Sequence, residues 1–168
     1  MNCDVRRALP EIICNTSPLQ YLHQLRLLET VAALVGELIV PPAVVAEISA
    51  GRKRGVDLPD LNRLDWVKVR VPLSSTVTSL VTDLGPGETQ VLMLALESAD
   101  AIVVLDDGMA RQFAETLKLR LPGTLGLLID AKHAGMLSTV TPQLNRLQAL
   151  GFRLAPATRT AVLRLAGE

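Results

Sequence analysis

Three short aliphatic runs, EIIC at 11–14, ELIV at 37–40 and AIVVL at 101–105, each lead into a longer amphipathic stretch, and this alternation constrains the fold most. Apolar runs that lack polar alternation suit strands covered on both faces, and parallel strands are joined by helical crossovers. An α/β fold with a parallel sheet is therefore expected. The composition agrees. Of the 168 residues 49% are hydrophobic and 20% charged, and the aromatics are limited to Tyr21, Trp66, Phe113 and Phe152. Aliphatic helices packed on a sheet account for this better than a β-sandwich or barrel, and the length fits a single domain over 1–168.

Punctuation residues divide the rest. Ser17-Pro18 opens a helix over 17–28, with Ser17 as its cap, and a second helical piece covers 29–35. Pro41-Pro42 starts the helix PAVVAEISA, which Gly51 is expected to stop. The alternation of WVKVRV over 66–71 suggests a half-exposed strand near the sheet edge, and a helix is expected over 74–82. A helix over 87–98, the strand 101–105 and a helix over 108–117 form one unit. A short last strand at 119–121 brings the sheet to about five strands, and helices follow at 124–133, 142–150 and 157–166.

The zero formal net charge excludes a global attraction to nucleic acid or acidic lipid, and the few aromatics disfavour a stand-alone base-stacking platform. Cys3 and Cys14 have no ligand spacing and form no disulfide framework, and Cys14 reads as a small buried residue. No apolar run reaches spanning length, and MNCDVRRALPEIIC lacks the features of a signal peptide. A soluble cytoplasmic protein with no membrane partner is expected.

The puzzle is LDD at 105–107. Adjacent aspartates repel, and burying either without a partner is costly. In a parallel sheet every strand ends at the edge where the next helix begins, and ligands bind there, where the strand order reverses. The rule collects Asn15 after the first strand, Glu47 in the helix after the second, Glu88 opening the helix before the fourth, and Asp106 and Asp107 ending the fourth. Oxygen ligands without histidine or cysteine suit Mg²⁺ or Mn²⁺ rather than zinc, and such an ion supports phosphodiester hydrolysis.

The order NTSPL, PPAVVAEI, GPGE, VVLDD and GTLG resembles the PIN-domain nucleases, in particular a prokaryotic branch carrying the GPGE, LDD and GTLG elements, over nearly the whole chain. The resemblance implies a three-layer α/β/α sandwich and Mg²⁺- or Mn²⁺-dependent cleavage of RNA. Many prokaryotic members are toxins of toxin–antitoxin pairs that form homodimers and bind an antitoxin segment across the active-site groove; here the apolar helices over 19–34 would supply a partner surface in addition to core. By motif, Asn15 stands for the first-strand acid, Glu47 for the acid of PAVVAEI, Glu88 for the helix-opening acid, and Asp106 or Asp107 for the acid after the fourth strand. Most members have aspartate where this chain has Asn15, which leaves a catalytically lapsed RNA- or antitoxin-binding module as the alternative.

Each residue also has a bland reading. Glu47 could be a solvated helix charge, Glu88 a charge favoured at a helix N-terminus, and Asp107 a helix cap. Thr16, Ser17 and Thr124 read as supporting hydroxyls or caps, with capping favoured for Ser17. Arg111 is expected to form an ion pair, and Arg52, Lys53 and Arg54 to be either a solvated loop or an RNA-backbone contact. His23 and His133 receive no chemistry. A receiver-domain reading fails because Asn15-Thr16, not an acid pair, follows the first strand.

Overall fold

A computed structural model describes residues 10–74 and 83–168. Cys3 and, apart from Ser74, the helix expected over 74–82 lie outside the described residues. Four strands, β1 (Glu11–Cys14), β2 (Leu38–Val40), β3 (Val67–Val69) and β4 (Ala101–Val104), form one parallel sheet in the order β3-β2-β1-β4. Among the described residues eight helices flank it: α1 (Thr16–Gln24), α2 (Leu28–Val35), α3 (Pro42–Lys53), α4 (Pro86–Leu96), α5 (Gly108–Thr116), α6 (Thr124–His133), α7 (Thr141–Ala149) and α8 (Pro156–Ala166). This is the expected α/β/α sandwich. The fifth strand is reduced to a single parallel bridge between Ile102 and Arg120. β3 is half exposed and lies at the sheet edge, as its alternating sequence suggested.

Register explains why distant residues meet. Cys14 pairs with Val104, and Ile13 pairs with Ile39, so β1, β2 and β4 finish nearly in line. Asn15, Pro41 and Leu105 then come together at one edge, where the order reverses between β1 and β4. Proline sits in the first turn of α3, α4, α7 and α8, where its fixed φ favours a helix start and its missing N–H removes no hydrogen bond. Packing then locks the layout. Residues 91–95 of α4 are all buried, with the helix against α3 on one side and β1 and β4 on the other. Ile13, Leu19, Leu92, Leu105 and Leu144 are fully buried, each contributing roughly 1.5–3 kcal/mol of transfer free energy.

One expectation is corrected by long-range packing. Gly51 does not end α3, which runs on to Lys53; it is buried under Leu58, whose Cδ1 would lie 2.4 Å from a Cβ placed there. The glycine makes room for a side chain rather than a stop. Much of the apolar stretch over 19–34 serves the core: Leu19, Leu22, Leu25, Leu27 and Val31 are buried, while Leu28 and Leu34 are half-buried. Cys14 is buried, as expected, and burial pushes its thiol well above the ordinary range. No helix among the described residues is long and apolar enough to cross a membrane.

Candidate active site

Asn15 precedes α1, but its side chain does not cap the helix. Nδ2 instead donates to Glu88 Oε1 at 2.8 Å, while Oδ1 is buried with no hydrogen-bond partner. The residue is 1% exposed. A buried acceptor without a donor costs roughly 1–3 kcal/mol, so this orientation needs a reason. Reversing the amide would set Oδ1 against the Glu88 carboxylate; the orphaned oxygen therefore follows from the bond to Glu88.

Glu47 lies in the second turn of α3, on the side carrying buried Val44, Ile48 and Gly51. Its Oε1 accepts from Gly87 N–H at 2.9 Å and its Oε2 from Thr16 Oγ1 at 2.5 Å. Three oxygens converge over Gly87, because a Cβ there would lie 2.7 Å from both Glu47 oxygens and 2.8 Å from Asn15 Oδ1. Only glycine leaves that space open. Glu88 opens α4 in its first turn, and Gln90 ties α4 to α3 by accepting from Ala43 N–H at 2.9 Å, a donor that the start of α3 would otherwise leave unpaired.

The two aspartates play different parts. Asp107 caps α5, its Oδ1 accepting from the N–H groups of Met109 and Ala110 at 3.0 Å each. The bland reading of Asp107 is thus correct for one oxygen. The residue remains exposed and shares with Glu88 a shallow cavity of about 170 Å³. Asp106 is held by Thr124 alone: Oδ1 accepts from its N–H at 2.8 Å and Oδ2 from its hydroxyl at 2.5 Å. Burial raises the Asp106 pKa above its ordinary value, against the lowering effects of the Thr124 bonds and the Arg111 charge.

The supporting residues differ from expectation in two places. Ser17 is not the cap of α1, which begins at Thr16 after Asn15; it borders a cavity instead. Arg111 is not a close ion-pair partner among the described residues. Its Nη1 donates to Leu105 O at 2.8 Å and its Nη2 to Leu121 O at 3.5 Å, so it fastens the end of β4 to the loop before α6. Arg52 is spent on Asp60 at 3.3 Å, while Lys53 and Arg54 stay exposed. His23 meets Asp57 at 2.9 Å and His133 the Leu165 carbonyl at 2.9 Å, both remote from this edge in the chain's contacts.

Asn15 is thus bonded to Glu88 and lies with Glu47 over Gly87, Asp107 and Glu88 border one cavity, and Asp106 is tied to Thr124. Among the described residues no three His, Cys, Asp or Glu side chains form an ion cage by themselves; oxygens of Asn15 and Glu47 gather over Gly87. The oxygen-only donor set and the orphaned Asn15 Oδ1 fit a hard divalent cation. Sequence reasoning missed Gly87, whose role is the absence of a side chain, and Gln90, whose partner is a backbone N–H. The model of the PIN-domain family matches residues 11–168. No curated protein and no solved structure matches.

Proposed function

The chain belongs to the PIN-domain family, and from that premise we propose that it is a Mg²⁺- or Mn²⁺-dependent ribonuclease hydrolysing RNA phosphodiesters, the toxin of a toxin–antitoxin pair. PIN domains are generally nucleases and typically use divalent metals. The observation that carries the reading is Asn15 Oδ1, a buried acceptor without a donor beside the Glu47 carboxylate. Asn15, Glu47, Glu88 and one of Asp106 and Asp107 would hold the cation. When bound, it would lower the pKa of a water and offset charge on the leaving oxygen.

The chain's own residues do the positioning. Thr16 and the Gly87 N–H orient Glu47, Thr124 orients Asp106, and Asp107 keeps one oxygen beyond its capping bonds. A homodimer that binds an antitoxin segment across this groove belongs to the same proposal. A second reading, a catalytically lapsed RNA- or antitoxin-binding module, has one observation in its favour. The Asn15 amide already donates to Glu88, a bond that aspartate could not give, so part of the acidic edge is compensated without a cation.

Calorimetric Mn²⁺ titration and Mn²⁺-dependent cleavage of single-stranded RNA separate the two. Glu47→Gln, Glu88→Gln and Asp106→Asn are each expected to lose several kcal/mol of transition-state stabilisation, on the order of 10²–10³-fold in rate, with folding intact. Asp107→Ser keeps a capping oxygen and tests the remaining carboxylate alone. A parent protein that binds no Mn²⁺ and leaves RNA uncut would establish the lapsed module.

A further inference from the structure

Two cavities adjoin Asp106 where it faces the loop between α7 and α8. One, of about 350 Å³, is bordered by Ser17, Tyr21 and Asp107; the other, of about 310 Å³, by Arg111, Gly123 and Thr158; Asp106, Phe152 and Arg153 border both. Phe152 and Arg153 therefore stand between them. Although the chain has only four aromatic residues, two of them meet here: the rings of Tyr21 and Phe152 lie 5.1 Å apart with their planes at 79°. Tyr21 borders the same cavity as Asp106 and Asp107, and burial and, after it, the Asp106 charge push its phenol up. Arg153 is exposed and makes no hydrogen bond or ion pair among the described residues.

We propose that these cavities are successive nucleotide subsites for single-stranded RNA, with a base stacked on Phe152 and Arg153 holding a phosphate at the boundary between them. The inference rests on the nuclease reading and adds to it two recognition residues and the cavities they border. A phosphate approaching Asp106 and Asp107 is repelled unless a cation accompanies it, and an unpaired guanidinium at the boundary offers a bidentate contact. The ring borders both cavities, and stacking on an aromatic ring is open to any base. A paired base has both faces covered within its duplex, so only an unstacked strand can occupy the cavities.

The test uses the full chain and a single-stranded 2′-O-methyl hexanucleotide, which resists cleavage, with affinity read by fluorescence anisotropy in Mn²⁺ and in chelator. Phe152 also packs against the core, so the informative pair is Phe152→Leu, which keeps apolar bulk, and Phe152→Tyr, which keeps the ring; melting temperatures check that both fold. Phe152→Leu is expected to weaken binding about ten-fold and Phe152→Tyr to restore it. Arg153→Gln should weaken binding and reduce the salt dependence by about one phosphate contact. Parent-like affinity in folded Phe152→Leu and Arg153→Gln overturns the subsites, even if the parent cuts RNA. Phe152-dependent binding by a parent that neither binds Mn²⁺ nor cuts RNA upholds the subsites and overturns the nuclease reading instead.

Discussion

Two carboxylates in this molecule each accept from a threonine N–H and hydroxyl, and their pKa values are displaced in opposite directions. Glu168 accepts from Thr141 N–H at 3.1 Å, the Thr141 hydroxyl, Val140 N–H at 2.5 Å and Lys132 Nζ at 2.7 Å. With the Lys132 bond foremost, its pKa is lowered to about 2. At the sheet edge Asp106 likewise accepts from a threonine N–H and hydroxyl, but without a lysine, and burial raises its pKa. The clasp that fastens Glu168 to α6 and α7 is complete in itself. The sheet edge, by contrast, is left short of positive charge, and Asn15 Oδ1 is short of a donor. Under the proposed function, the deficit at the strand switch point is where the cation's charge would be taken up.

The most forceful way to break this contrast is to deepen the deficit. Asn15→Asp removes the 2.8 Å donation to Glu88 Oε1 and sets two carboxylates against each other. At an effective dielectric of about 20, a like-charge contact near 4 Å is worth about 4 kcal/mol before solvation and rearrangement reduce it. Metal-free stability should therefore fall, while Mn²⁺ binds more tightly, so the melting temperature should rise more with added Mn²⁺ than in the parent. Unchanged Mn²⁺ affinity together with an unchanged metal-dependent shift would remove Asn15 from the ligand set and favour the lapsed module.

How much of this edge was legible in the sequence depends on the kind of partner each residue has. Strand ends and proline-opened helices are local signals, and they sufficed to send Asn15, Glu47, Glu88 and the aspartate pair to one edge. The division of labour within LDD was not legible, because Asp106 is claimed by Thr124 from 18 residues away while Asp107 turns to its own helix. Arg111 read as an ion-pair former, yet its acceptors are the Leu105 and Leu121 carbonyls, which every residue type carries and no sequence marks. Gly51 looked like a stop because the residue that fills its space, Leu58, follows only after the helix has ended. The meeting of Tyr21 with Phe152 spans most of the chain and leaves no periodic trace.

Acid titration gives the next, smaller contrast, with opposite signs at the two sites. Glu168 has a folded pKa of about 2 against an ordinary 4.5, so its contribution is full above pH 4.5 and is lost as pH falls toward 2. Glu168→Gln should lower the melting temperature at neutral pH, and the difference should close in acid. Asp106, with its folded pKa raised above 3.8, carries a penalty that is fully present above that raised value and absent below 3.8. Asp106→Asn, with its amide donating to the Thr124 hydroxyl, should therefore raise the metal-free melting temperature at neutral pH, and that gain should also vanish in acid. Melting curves across pH that move the same way for both variants would end the distinction between a finished clasp and an unfinished site.

The smallest effect concerns Arg111, a cation whose charge lowers the Asp106 pKa. Arg111 acts on Asp106 through charge, and holds Leu105 O at 2.8 Å. Arg111→Met keeps the apolar stem and removes both the charge and the fork, leaving the Leu105 carbonyl without that donor at a cost of roughly 1 kcal/mol. The Asp106 pKa should then rise further, because burial continues to act and a lowering charge is gone; NMR titration of its carboxyl carbon reads this directly. Arg111→Lys restores the charge without the two-pronged contact, so its Asp106 pKa should fall between those of the parent and Arg111→Met, while its stability stays nearer the latter. If Asp106 titrates identically in all three proteins, burial and Thr124 alone set its state, and Arg111 is only a fastener between β4 and the loop before α6. A rise in Arg111→Met that added Mn²⁺ reverses would instead place Arg111 and the cation in the same role, each answering the charge that the fold leaves unbalanced.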